Sequence, residues 1–91
     1  MNKSELIDSV SMKANLSKKE SEAAVNALLD TISEALVNEE KVVLVGFGTF
    51  ETKRRAERMG RNPSTKQEIK IPASKAPVFK AGKGLKDKVN N

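Results

Sequence analysis

The sequence predicts an α+β fold in a single domain: a helical hairpin, then a three-stranded antiparallel sheet that runs out into a long protruding β-ribbon arm, then a short C-terminal helix. Three observations carry this reading. Two capped stretches with helical apolar spacing fill residues 2 to 38, β-branched and alternating apolar runs follow between Val42 and Phe79, and the segment from Lys53 to Arg61 holds almost nothing that can be buried. The 91 residues lie just below the roughly 100 to 200 typical of one domain.

The first helix opens on Asn2, followed three residues later by Glu5, a pairing in which each side chain satisfies a free backbone N–H of the other. Leu6, Ile7, Val10 and Ala14 recur at helical spacing, and Asn15 suits the left-handed residue that closes a helix. Ser17 and Glu20 repeat the pattern and open a longer helix with the stripe Ala24, Val25, Leu28, Leu29, Ile32, Ala35 and Leu36. That stripe is wide enough to cover more than its own chain offers.

Val42, Val43, Leu44 and Val45 read as a strand covered on both sides. Gly46, Phe47 and Gly48 form a tight turn into a second strand at Thr49 and Phe50, which loses its apolar character at Lys53. Asn62, Pro63, Ser64 and Thr65 are turn residues, and Ile69, Ile71 and Ala73 then alternate with polar neighbours as a returning strand. Pro72 has no N–H for a central ladder and belongs on an edge or at a bulge. The ten or so residues of each arm strand, at about 3.3 Å apiece, would reach roughly 30 Å. Val78 and Phe79 return to the core, and a last helix follows Gly82 with Leu85 and Val89 on one face. Gly84 inside it costs about 1 kcal/mol relative to Ala. The parts are thus residues 1–38 (helices), 41–81 (sheet, arm at about 53–75) and 83–90 (last helix).

Composition narrows function. Apolar residues are 37% of the chain and its only aromatics are Phe47, Phe50 and Phe79, so one copy buries a thin core. Absence of Cys and His excludes disulfides and the usual zinc ligand sets, which leaves oligomerisation as the staple. No Ser or Thr is spaced with a Lys or carboxylate as a nucleophile would be, so no catalytic residue is expected. Neither Gly46-Phe47-Gly48 nor Gly82-Lys83-Gly84 completes a phosphate-binding fingerprint, and the carboxylates lack calcium-loop spacing; no cofactor and no metal are expected. No run is long and apolar enough for a membrane span, and Met1 to Val10 is too polar for a secretory leader, which points to the cytoplasm.

Charge is polarised along the chain. Residues 1 to 45 carry five basic and eight acidic groups, net −3, whereas residues 46 to 91 carry twelve and four, net +8. The longer helix, Ser17 to Asn38, is net −2, the wrong sign for a recognition helix among phosphates. Between Lys53 and Lys70 seven basic residues face two acidic ones. A two-stranded ribbon fits a DNA groove, and Arg suits the negative potential of a narrow minor groove. Pro63 at the apex reads equally as a plain turn residue or as an apolar wedge between base pairs.

Gly46-Phe47-Gly48-Thr49-Phe50-Glu51, Gly60-Arg61-Asn62-Pro63, and Pro77-Val78-Phe79-Lys80-Ala81-Gly82-Lys83 with Leu85-Lys86 resemble the HU/IHF family of bacterial histone-like DNA-architectural proteins, on the HU side, over essentially the whole chain. The resemblance implies an intertwined homodimer that binds double-stranded DNA in the nucleoid with little sequence specificity, through the minor groove, bending and compacting it. It also implies a preference for bent, nicked or gapped sites. By position, Lys53, Arg55, Arg58 and Arg61 would follow phosphates along the arm, with Asn62, Lys66 and Lys70 near its end and Pro63 as the intercalating tip. Lys3, Lys75, Lys80, Lys83 and Lys86 would hold the flanking duplex, and Phe47, Phe50 and Phe79 would form the dimer core. Lys66 and Gly84 depart from the Gly and Ala usual there, and Asn15 replaces a frequent Gly. Three alternatives stay open: a site-specific bender of the IHF type, a structural dimer clasping an acidic protein, and RNA held by charge.

Overall fold

A computed structural model describes all 91 residues. The elements run α1 (Lys3–Ala14), α2 (Lys18–Val37), β1 (Val42–Leu44), β2 (Gly48–Arg55), β3 (Arg58–Arg61), β4 (Glu68–Ile71), β5 (Ser74–Ala81) and α3 (Lys83–Val89). Two units are distinguished, Met1–Glu34 and Ala35–Asn91.

In the first unit both capping pairs form. Asn2 Oδ1 accepts the Glu5 N–H at 2.9 Å while Glu5 Oε1 accepts that of Asn2 at 3.4 Å. Ser17 and Glu20 exchange the same two bonds at 3.1 Å each. The bonds from the Ser17 backbone and then its hydroxyl hold the Glu20 carboxyl below its ordinary pKa. Asn15 adopts the left-handed conformation (φ 56°, ψ 46°), and the next N–H, Leu16, returns to the Ser11 carbonyl. Lys18 reaches Asp8 at 3.2 Å, an exposed ion pair between the two helices. Within the α2 stripe, however, only Val25 is buried; Leu28 remains 54% exposed and Leu29 44%.

The second unit begins with the end of α2. Glu39 N–H donates to Leu36 and Glu40 N–H to Ala35, the paired bonds that close a helix through a left-handed residue, here Glu39 at φ 58°. The sheet has the order β1-β2-β5, all antiparallel. β2 and β5 pair over eight residues each, from Gly48 opposite Ala81 to Arg55 opposite Ser74. Because side chains alternate, one face carries Val42, Leu44, Phe50, Pro77 and Phe79 and the other Lys41, Glu51, Lys53, Arg55 and Lys80. On the apolar face Phe50 and Phe79 are directly opposed with ring centroids 4.7 Å apart, and Phe47 joins at 5.6 Å from Phe79. Gly48 makes this packing feasible, since a Cβ there would lie 2.5 Å from the Phe79 ring and 2.6 Å from the Lys80 carbonyl.

Several expectations change. The apolar run after residue 41 is a strand only from Val42 to Leu44; Val45 belongs to the turn and is 97% exposed, and Val43 and Leu44 are also exposed. A strand covered on both sides is therefore not present in one chain. Phe47 and Phe79 are likewise 47% and 41% exposed, so the core to which Phe79 returns is unfinished. The ribbon is not one continuous ladder. Pairing stops after Arg55–Ser74 and resumes at Arg58–Ile71, leaving Ala56 and Glu57 opposite Pro72 and Ala73. Pro72 is thus placed where no N–H is required, and Ala73 falls outside the returning strand. In α3, Leu85 is half-buried while Val89 is exposed, so the two do not share a packed face.

Gly84, marked by helix propensity as a weakness, answers a packing demand. A Cβ there would lie 2.6 Å from the Gly46 carbonyl oxygen, and Gly82 N–H, at the start of the same helix, donates to the Phe47 carbonyl at 2.8 Å. The cost in propensity brings α3 onto the β1–β2 turn.

Gly48→Ala forces the Phe79 ring and the β5 backbone apart and is expected to destabilise the fold by about 1 to 3 kcal/mol, read as a lower urea midpoint at unchanged slope. An unchanged midpoint would show that Phe79 does not depend on this close approach.

Candidate nucleic-acid interface

The polar face of the sheet is organised around one carboxylate. Glu51 is buried, 8% exposed, and its two oxygens are approached by Lys80 Nζ at 2.9 Å and Lys41 Nζ at 3.6 Å. The Lys80 hydrogen bond, with the charges of Lys80, Lys41 and Lys53 behind it, holds the Glu51 carboxyl below its ordinary pKa although burial acts the other way. Lys53 and Arg55 continue along the same face without an ion-pair partner. The result is a cationic surface on which Lys80 and Lys41 are held by a carboxylate of the same face while Lys53 and Arg55 stay free.

Beyond the break, β3 and β4 form a separate two-stranded ribbon, from Arg58 opposite Ile71 to Arg61 opposite Glu68. Gly60 lets Ile71 lie across it, since a Cβ at Gly60 would be 2.8 Å from Ile71 Cδ1. The tip thus has one small apolar strip, Ile69 and Ile71 of the alternating returning strand, laid over Gly60. Its turn is closed by two backbone bonds, Lys66 N–H to Asn62 O at 2.7 Å and Asn62 N–H to Gln67 O at 2.8 Å. Asn62 Oδ1 also accepts the Ser64 N–H at 2.9 Å, so part of this side chain builds the turn. Lys66 has φ 61°, the left-handed conformation that Gly adopts without strain. Pro63 is exposed at the start of the turn segment Pro63–Thr65.

The thirteen positions singled out in the sequence for DNA contact fall into three groups. Lys3, Lys53, Arg55, Arg58, Arg61, Lys66, Lys83 and Lys86 are exposed and make no ion pair. Lys70, Lys75 and Lys80 are engaged: Lys70 with Glu57 across the ribbon at 3.2 Å, Lys80 with Glu51, and Lys75 Nζ with the Val37 carbonyl at 3.4 Å. Asn62 and Pro63 shape the tip. Sequence reasoning missed Glu51 as the centre of the cationic face and the pair Arg54–Glu39, in which Nε and Nη2 meet the two carboxylate oxygens at 2.5 and 2.8 Å. The period-two alternation of Glu51 with Lys53 and Arg55 was a signal for the first; fifteen residues separate the second pair, and no local pattern links them. No group of three acidic residues is placed to hold a metal ion, and no helix is long and apolar enough to cross a membrane.

The cationic face of the sheet and the basic ribbon beyond it make up a candidate nucleic-acid-binding surface of this class of fold. The chain belongs to the bacterial DNA-binding protein family, whose pattern it matches over residues 1–90. It is 61% identical to the DNA-binding protein HU of Clostridium pasteurianum over 90 residues, 99% of each chain. To DNA-binding protein HU 1 of Bacillus subtilis it is 55% identical, over 98% of this chain and 97% of that one. Among solved structures, the Anabaena HU–DNA cocrystal matches with a TM-score of 0.89 at 49% identity, covering 98% of this chain and 97% of the other. HU from Thermotoga maritima matches at 0.69 and 40%, with 98% of both chains covered.

The lowered pKa values of Glu51 and Glu39 fix the direction of the acid response. Each carboxylate contributes stability that is complete above its unfolded-state pKa and is lost as pH falls through the lower folded value. Urea midpoints at pH 7 and pH 3 should therefore drop more for the parent than for Glu51→Gln. Equal drops would remove Glu51 from the acid response.

Proposed function

We propose that the protein works as a homodimer that binds double-stranded DNA with little sequence specificity and bends it, the ribbons following the minor groove and Pro63 wedging between base pairs. One observation carries the reading: five cations, Lys53, Arg55, Arg58, Arg61 and Lys66, line strands and a turn without a carboxylate partner in their own chain. Phosphates, at one charge per about 1.7 Å of duplex, are the partners such a row fits. Membership of the bacterial DNA-binding family supports it, as does the likeness to an HU solved with DNA.

The unfinished core supports dimerisation. Leu28, Leu29, Leu44, Phe47 and Phe79 are large apolar side chains still open to solvent. A second copy that interlocks with the first covers this surface and supplies the stability a Cys-free chain of this size lacks. The bound form would act on the nucleoid in the cytoplasm.

Bending a site of 20 to 30 base pairs costs on the order of 1 to 6 kcal/mol, which ribbon contacts offset. Nicked, gapped or already bent duplexes lower that cost and should bind more tightly than intact ones. RNA duplexes offer the same charge without the same groove, and competition with DNA ranks the two.

With six to ten phosphates neutralised per dimer, affinity should fall by roughly 10³ to 10⁵ between 50 and 200 mM salt, and Arg55→Ala/Arg58→Ala/Arg61→Ala should flatten that slope. A triple variant with parental duplex affinity would favour an acidic protein as partner, and enrichment of one motif from random DNA would favour a site-specific bender. Pro63→Ala is expected to keep most of the affinity yet reduce the bend, measured by energy transfer between duplex ends. An unchanged bend would make Pro63 a turn residue only.

A further inference from the structure

The base of the ribbon is fastened to the end of α2. Thr52 Oγ1 donates to the Leu36 carbonyl at 2.7 Å, Lys75 Nζ to the Val37 carbonyl at 3.4 Å, and Arg54 makes its two-pronged bond to Glu39. Thr52, Arg54 and Lys75 leave the same face of the β2–β5 ladder, with Arg54 directly opposite Lys75. That face is the one turned away from Lys53 and Arg55, so the fastening uses none of the free cations. Immediately beyond it the ladder stops in both strands at the same level, Ala56–Glu57 against Pro72–Ala73.

Exposed ion pairs usually contribute little, and Arg54 is well exposed. The parallel fork of a guanidinium on a carboxylate is the arrangement that escapes this rule, because it fixes orientation as well as distance. Glu39 occupies the left-handed closing position of α2, where Gly is the least strained choice. A side chain at that position therefore has work that Gly could not do.

We propose that Glu39 and Arg54 are a positioning pair that clamps the ribbon base to the end of α2, so that ribbon movement is confined to the two-residue breaks and the tip meets a duplex at a set angle. The clamp is a property of the free protein; its effect on DNA rests on the function proposed above. Arg54 is engaged by Glu39 on the face opposite Lys53 and Arg55, so removing either should act on order and geometry and not on the number of phosphates contacted.

Amide hydrogen exchange of the free, full-length protein tests the clamp. Glu39→Gln and Arg54→Ala should each speed exchange at Thr52–Arg55 and Ser74–Ala76 by about three- to tenfold, with the α1 amides unchanged. Glu39→Gly, which keeps the preferred helix closure while losing the carboxylate, should match Glu39→Gln and so separate clamp from cap. On a duplex, all three should broaden the distribution of bend angles seen by single-molecule energy transfer at an unchanged salt slope. Parental exchange rates in these variants would overturn the proposal. So would opposite changes in salt slope, steeper for Glu39→Gln and shallower for Arg54→Ala, which would make Arg54 a phosphate contact released from Glu39. Should the parent protein bind no duplex at all, the DNA reading fails while the exchange rates alone decide the clamp.

Discussion

Phe79 packs against Phe50 across the ladder and against Phe47 from the turn, and that contact sets the second unit in register. A slip of one residue between β2 and β5 would carry Phe79 to the opposite face and bring Lys80 under the sheet in its place. Since the same alternation governs both faces, the aromatic contact that fixes the apolar side also gathers Lys53, Arg55 and Lys80 on the other. The placement of the cations is thus a consequence of hydrophobic packing, with Gly48 as the missing Cβ that permits it.

Gathering so many cations has an electrostatic cost, and the acidic residues of this half are distributed to limit it. Glu51 holds Lys80 and Lys41, Glu57 holds Lys70, and Glu39 holds Arg54. Formal charge therefore overstates what is available to a polyanion. The unpaired cations run from Lys53 and Arg55 on the sheet face through Arg58 and Arg61 to Lys66 at the tip. Lysines held by a buried carboxylate are positioned before any phosphate arrives, which reduces the side-chain entropy lost on binding.

What the sequence disclosed and what it concealed separate by range. The caps at Asn2–Glu5 and Ser17–Glu20 and the left-handed Asn15 were legible because their partners lie within five residues, where side-chain chemistry alone decides the bond. The basic ribbon was legible because burying seven cations has no cheap solution. The break at Ala56–Glu57 was not, for nothing in those two residues forbids a strand; only Pro72, lying across from them, marks the level at which pairing fails. The reason for Gly84 was not legible, because propensity records the helix and not the Gly46 carbonyl pressed against it. Arg54, one of the seven cations counted between Lys53 and Lys70, has its carboxylate fifteen residues away, beyond any local pattern.

A ribbon of four residues per strand joined to its base by two unpaired residues on each side has little of its own to keep it folded. Beyond its four-residue ladder, its internal support comes from Ile71 over Gly60, the Glu57–Lys70 pair and the Asn62 turn. Lys66 in a left-handed conformation draws on that support. A tip so lightly held can change shape at small energetic cost, but a wholly loose arm would lose in ordering entropy what its charges gain. A base clamped as proposed and a short yielding tip would resolve the conflict: the part that must be ordered is ordered by the protein, and only the turn at the ribbon's end waits for a partner.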